Sequence, residues 1–168
     1  LTSKKMFKYS NKSEKELSTT HFLIQKIFDE AIKYVDITIL EGHRDEEKQN
    51  EYFNKGVSKV KFPNSKHNSN PSMAVDATPH PINFKDLIRL SHFTGFMLGI
   101  SKPLLENTGC RLISGIDWDA DFNIKEHGFL DYPHFQLEII DKDEYEKYTN
   151  SYFSDLVFKS EPLVNPES

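Results

Sequence analysis

Residues 131–140 read Asp131-Tyr132-Pro133-His134-Phe135-Gln136-Leu137-Glu138-Ile139-Ile140, and their alternation decides what kind of fold the chain adopts. From His134 onward polar and apolar side chains take turns, the two-residue period of a strand with one face in a core and the other in solvent. His134, Gln136 and Glu138 share the polar face, while Phe135, Leu137 and Ile139 fill the other. Pro133 has no N–H to give a neighbouring strand, so it marks an extended bend ahead of this one. Such a bend can bring Asp131 round to the side of His134.

Three further short runs upstream have strand character: residues 36–40 (DITIL), residues 73–77 (MAVDA) closed by Thr78-Pro79, and residues 111–115 (RLISG). Helical spacing lies between them. Leu23, Ile24, Ile27, Phe28, Ala31 and Ile32 form one apolar stripe, with an N-cap offered by Ser18-Thr19-Thr20 and an end near Tyr34. Asp45 caps a helix through Gln49 and Phe53 that stops at Gly56, and Asn83 caps a long one from about Phe84 toward Asn107, kinked or split by Pro103. Residues 57–72, rich in Lys, Asn, Ser and Pro, have no period and read as a loop. Short strands interleaved with helices over long connections predict an α+β fold, a small, mostly antiparallel sheet flanked by helices.

A length of 168 residues suits one core. We expect a polar, flexible lead over residues 1–17 that frays or forms a short surface helix, one domain over 18–158, and a loosely ordered tail over 159–168, which holds Pro162 and Pro166. The 13 Phe and 7 Tyr supply the apolar surface of a folded chain. A net charge of -5 and the lack of a basic stripe give no electrostatic reason to bind nucleic acid. Cys110 is the sole cysteine, which rules out an internal disulfide and a four-thiolate zinc site. No apolar run approaches the roughly 18 residues of a membrane span, so no membrane insertion is expected. The start has no signal-peptide apolar region, although a chain opening on Leu1 says little about its destination.

Among the seven histidines, His21 and His92 sit beside apolar neighbours in expected helices and His80 lies in a turn between two prolines, and these three read as ordinary residues; His127 precedes Gly128 in a loop, and its role is open. His67 and His134 differ, because each stands where loop meets strand and near a carboxylate. Asp76, between Val75 and Ala77, is costly to bury alone. It wants a cation, or else backbone donors or an arginine. Two imidazoles and one carboxylate make a three-ligand zinc set with the fourth position open, as catalytic sites require. Asp131 is then the candidate base for an attacking water, and Arg44, at the exit of the first strand, the candidate partner of the developing oxyanion. The alternative for Arg44 is a surface ion pair with Asp45 or Glu46.

Asp117-Trp118-Asp119-Ala120-Asp121-Phe122-Asn123 places oxygen donors at alternate positions, like the first half of a calcium loop. Phe122 stands where such a loop needs Gly, and Gly128 where it needs Glu. A Ca2+-responsive lid and an acidic solvated loop over Trp118 are both open.

Glu41-Gly42-His43-Arg44 with Gln49, the Ser65-x-His67 to Ala74-Val75-Asp76 segment, and Asp131-x-Pro133-His134-Phe135 occur in the order seen in the D-alanyl-D-alanine carboxypeptidase and L-alanyl-D-glutamate endopeptidase group of zinc peptidases. The chain resembles this VanY-like group over roughly residues 37–140, and within it tailed-phage endolysins. The resemblance implies a hedgehog-type peptidase fold, His67, Asp76 and His134 as Zn2+ ligands, Asp131 as base and Arg44 on the scissile carbonyl or its oxyanion. Residues 68–72 lengthen the usual step between His67 and Asp76, a loop variant. An aspartate rather than glutamate at position 131 favours the endopeptidase branch. The expected activity is hydrolysis of the L-alanyl-D-glutamate bond in peptidoglycan stem peptides, by a monomer made in a host cytoplasm and acting on the cell wall. The alternatives are a D-alanyl-D-alanine carboxypeptidase and an inactive, metal-stabilised wall-binding module.

Overall fold

The computed structural model describes residues 7–124 and 127–160. Its elements run α1 (Asn11–Ser18), α2 (Phe22–Ala31), β1 (Ile37–Glu41), α3 (Glu46–Asn54), a 3-10 turn (Lys66–Asn68), β2 (Ala74–Pro79), α4 (Leu87–Leu104), β3 (Cys110–Gly115), β4 (Asp131–Ile139) and α5 (Lys142–Ser160). The four strands form one sheet in the order β1-β2-β4-β3, antiparallel at every step, so the α+β expectation holds.

β4, the strand with the clearest alternation, is interior. Phe135 and Leu137 are fully buried, and the Phe135 ring meets Phe28 of α2 and Phe93 of α4 edge-on at 6.0 and 5.9 Å. Leu23, Ile24, Ile27 and Phe28 of α2 and Met97 of α4 complete this core with Val75 and Ala77 of β2. Because side chains alternate along a strand, Asp76 and His134 project from the opposite face of the sheet, where they stand directly across the β2–β4 ladder from one another. One face is thus core and the other carries the polar site. Ile139 departs from the expected alternation: the strand ends there and it is half exposed.

Of the two expectations for the lead, fraying or a short helix, the structure has the helix, α1. β1 is an edge strand whose outward N–H groups need partners. Side chains of α1 and of the residue after it supply them: Ser13 Oγ accepts from Ile39 N–H at 3.1 Å, Glu16 Oε2 from Gly42 N–H at 3.0 Å, and Thr19 Oγ1 from His43 N–H at 2.8 Å. Tyr9 adds a hydrogen bond from its hydroxyl to the Phe28 carbonyl. A Lys/Glu-rich helix reads as surface because its polar residues hide this capping role. Residues 1–6 and the tail residues 161–168 lie outside the described residues.

Three helix expectations also shift. His21, rather than Ser18, Thr19 or Thr20, caps α2, its Nδ1 accepting the Leu23 N–H at 3.2 Å. α4 starts at Leu87 under an Asp86 cap, three residues after the expected start, and Pro103 falls in its last turn, where a missing N–H disrupts little. α5 was not expected from the pattern. It is seated by Gly109, whose positive φ of 67° leaves no room for a Cβ, since one built there would lie 2.2 Å from the Asp141 carbonyl oxygen.

Candidate metal centre

His67 reaches the polar face of the sheet from the 3-10 turn. Ser65 and Asn68 close a capping box around that turn, and the Asn68 side chain also donates to the Arg44 carbonyl at 2.9 Å, while Arg44 N–H donates to the His67 carbonyl at 2.9 Å. The lengthened step after His67 therefore begins with a residue that ties the turn to the β1 exit. The His67 ring is buried, and its Nδ1–H donates to the Gly42 carbonyl at 2.6 Å. That leaves a lone pair on Nε2. His134 is arranged the other way round, with Nε2 3.1 Å from Gln136 Oε1 and Nδ1 free to accept.

The two free nitrogens and Asp76 Oδ1 form a nearly equilateral triangle: His67 Nε2 to Asp76 Oδ1 is 3.2 Å, His67 Nε2 to His134 Nδ1 is 3.2 Å, and His134 Nδ1 to Asp76 Oδ1 is 3.1 Å. With both ring protons engaged elsewhere, three lone pairs face one point. That is repulsive without a cation. Arms of about 2.0–2.1 Å to a tetrahedral centre separate ligand atoms by about 3.3 Å, so the spacing fits a small divalent ion. With no ion in place a ring proton takes the cation's role: burial pushes the Asp76 carboxyl up, but charge on a protonated His67 and hydrogen bonds from protonated His134 and His67 overcome it and hold the group well below the usual carboxylate range. At His134 burial pushes the imidazole down, and the Asp76 hydrogen bond and charge outweigh it.

Asp131 lines the same cleft, a cavity of about 840 Å3 that also holds His67, Asp76, His134 and Arg44. It stands on the same side as His134 for a reason different from the one expected. The β3–β4 register breaks between Ser114 and Gly115, so that Ser114 pairs with Phe135 but Gly115 with Asp131. A Cβ built on Gly115 would lie 2.8 Å from Asp131 Cβ and 2.9 Å from His134 Cβ, placing both side chains over the one residue that has none. Burial raises the Asp131 carboxyl, the Asp76 charge adds to this, and His134, His67 and Arg44 oppose it.

Arg44 is buried, and neither Asp45 nor Glu46 is its partner. Its Nε donates to Glu41 Oε2 at 2.9 Å, Nη1 to Gln49 Oε1 at 3.1 Å, and Nη2 pairs with Glu41 and stands 3.5 Å from Asp76 Oδ2. Tyr52 closes over the guanidinium at 4.8 Å. The structure thus brings together all five residues singled out from the sequence. Gly42, Gln136, Gly115 and Trp118 were missed as contributors. Trp118 donates to the Phe129 carbonyl at 2.9 Å, and its ring lies 5.2 Å from that of His134. The polar phase of β4 already put Gln136 beside His134, which was the one available signal.

The Ca2+ expectation finds no support. Asp117, Asp119, Asp121 and His127 do gather, but the Asp117 oxygens accept the N–H groups of Asp121 and Phe122, and Asp121 Oδ1 accepts that of Asn123. These are the bonds of an acidic loop that caps itself. Within the cluster the fourth side chain is a histidine, a nitrogen donor poorly suited to calcium.

A family model described as phage L-alanyl-D-glutamate peptidase matches residues 5–138. Among solved structures, the fold is similar to the Serratia marcescens L-Ala D-Glu endopeptidase ChiX, with a TM-score of 0.59 and 20% identity over 88% of this chain and 98% of that one. A mutant of the vancomycin-resistance D,D-pentapeptidase VanY, in complex with Zn(II), aligns with a TM-score of 0.41 and 17% identity over 82% and 76% of the two chains. No curated protein matches the chain.

Proposed function

Because the chain belongs to the phage L-alanyl-D-glutamate peptidase family, we propose that it is a zinc-dependent endopeptidase that cuts the L-alanyl-D-glutamate bond of peptidoglycan stem peptides. The observation that carries this reading is the triangle of His67, Asp76 and His134 donor atoms, with a half-buried carboxylate, Asp131, in the same cleft.

His67 Nε2, His134 Nδ1 and Asp76 Oδ1 would hold the zinc. When bound, zinc would supply Lewis acidity, which polarises a carbonyl oxygen and lowers the pKa of water to about 7. Asp131 takes the proton of the water that attacks the scissile carbonyl and returns it to the departing amine of D-glutamate. Its raised pKa suits the second half of that task. Arg44, fixed by Glu41 and Gln49, sets a permanent positive charge beside the cleft floor for the oxygen that becomes negative. The same domain includes α1, since its side chains complete the edge of β1. No helix among the described residues is long and apolar enough to cross a membrane, and the site of action we propose is the cell wall.

Digestion of purified sacculi, with the released ends identified by mass spectrometry and zinc measured in the same preparation, tests the reading. New amino ends on D-glutamate are expected; loss of terminal D-alanine instead would reassign the bond. Asp131→Asn should lower turnover by roughly two to four orders of magnitude while zinc content stays stoichiometric. Full activity in that variant would remove Asp131 from the mechanism.

A further inference from the structure

The floor of the cleft is rich in carboxylates: Glu41, Asp76 and Asp131 all line it. An anionic substrate group therefore needs a cation set to one side. Three lysines, Lys48, Lys59 and Lys66, line the walls. Lys48 is neutralised, since its Nζ lies 2.6 Å from Glu41 Oε1 and its pKa is raised by that pairing. Lys66 has no side-chain contact that fixes its ammonium among the described residues.

Lys59 differs from both. It has no carboxylate within ion-pair distance among the described residues, yet its ammonium is held 5.5 Å from the centre of the Phe129 ring. A cation over a ring face keeps its other side free for an anion. Phe129 stacks on Trp118 at 6.3 Å, and Trp118 lies against His134, so the held charge stands beside the wall that leads to the metal triangle. Phe129 is also two residues before Asp131.

In the bond named under Proposed function, on which this inference rests, D-glutamate is joined onward through its γ-carboxyl. Its α-carboxylate is then a free anion on the carbon that bears the scissile nitrogen. We infer that Lys59, braced by Phe129, reads this α-carboxylate, so that the protein discriminates against stem peptides in which the group is amidated. The neutral amide keeps the shape and loses the charge.

The test uses the zinc-loaded full chain and two synthetic stem peptides that differ only in an α-carboxylate or an α-carboxamide on D-glutamate, with kcat/KM read from cleavage at the L-alanyl bond. The carboxylate should be favoured on the order of tenfold, as for a charged hydrogen bond made or lost. Lys59→Met should bring the ratio close to one, Lys59→Arg should retain it, and Lys66→Met should leave it as in the parent. High salt should shrink the parent's ratio, because the cleft is open to solvent. A parent ratio near one, a Lys59→Met ratio equal to the parent's, or collapse in Lys66→Met instead would overturn the assignment. A merely structural role for Lys59 would slow both peptides alike and leave the ratio standing. If neither peptide is cut at this bond, product masses show it, and the reading of the bond falls along with this one.

Discussion

His67 and His134 present opposite ring nitrogens to the same point, and the residues that decide this are the ones holding the far side of each ring. The Gly42 carbonyl takes the His67 proton and Gln136 takes that of His134. Such partners fix the tautomer and orientation of a ligand. Gln136→Leu should weaken zinc affinity by roughly 10- to 100-fold, measured by competition with a chromophoric chelator. An unchanged affinity would mean that the strand alone aims His134. His21 makes the second argument at this scale. Buried against Tyr145, to which its Nε2 is hydrogen bonded at 3.0 Å, it has its pKa lowered by burial to about 4 from 6.5. Between those values the unfolded chain holds a proton on this ring that the folded chain lacks, so this contribution to stability falls as pH drops from 6.5 toward 4. His21→Asn keeps an N-cap and removes the titration. Urea midpoints across that window should fall less steeply in the variant than in the parent.

Among the elements, α1 and β1 behave as one unit because the helix supplies acceptors that an edge strand lacks. Gly42 is where the two come closest: a Cβ there would lie 2.2 Å from the Glu16 carbonyl oxygen and 2.2 Å from Thr19 Oγ1. Neither atom can yield without losing its own hydrogen bonds. Gly42→Ala should cost about 1–3 kcal/mol by urea denaturation, the range for forcing atoms into a filled site. It should also weaken zinc binding, since the Gly42 carbonyl orients His67. A variant that lost stability but bound zinc normally would separate the two roles. The register break opposite Gly115 is the comparable device on the far side of the site. There a glycine and an irregular ladder let two residues three apart in sequence share one side of β4.

At the scale of the molecule, one sheet face is sealed by α2 and α4 and the other carries the donor triangle proposed to hold zinc, so binding of that ion would be coupled to folding. An ion that binds the folded chain alone stabilises it by mass action. Removing zinc with a chelator should lower the thermal midpoint by roughly 5–10 °C, recovered by adding zinc back, with calorimetry as the measurement. The sequence by itself determined the period of β4, the apolar stripe of α2, the α+β class and the short set of His, Asp and Arg residues that stand out from their neighbours. It could do so because alternation, caps and buried carboxylates leave marks over spans of a few residues. What it left open was whether Asp131 and His134 share a side, what Arg44 pairs with, and whether residues 11–18 pack. The first and third answers depend on partners distant in the chain, Gly115 and the edge of β1; for the second, Glu41 and Gln49 lie close in sequence, but only folding turns them onto Arg44 beside the distant Asp76. Local pattern carries the face a side chain prefers. Only the assembled sheet decides which distant residue meets it there.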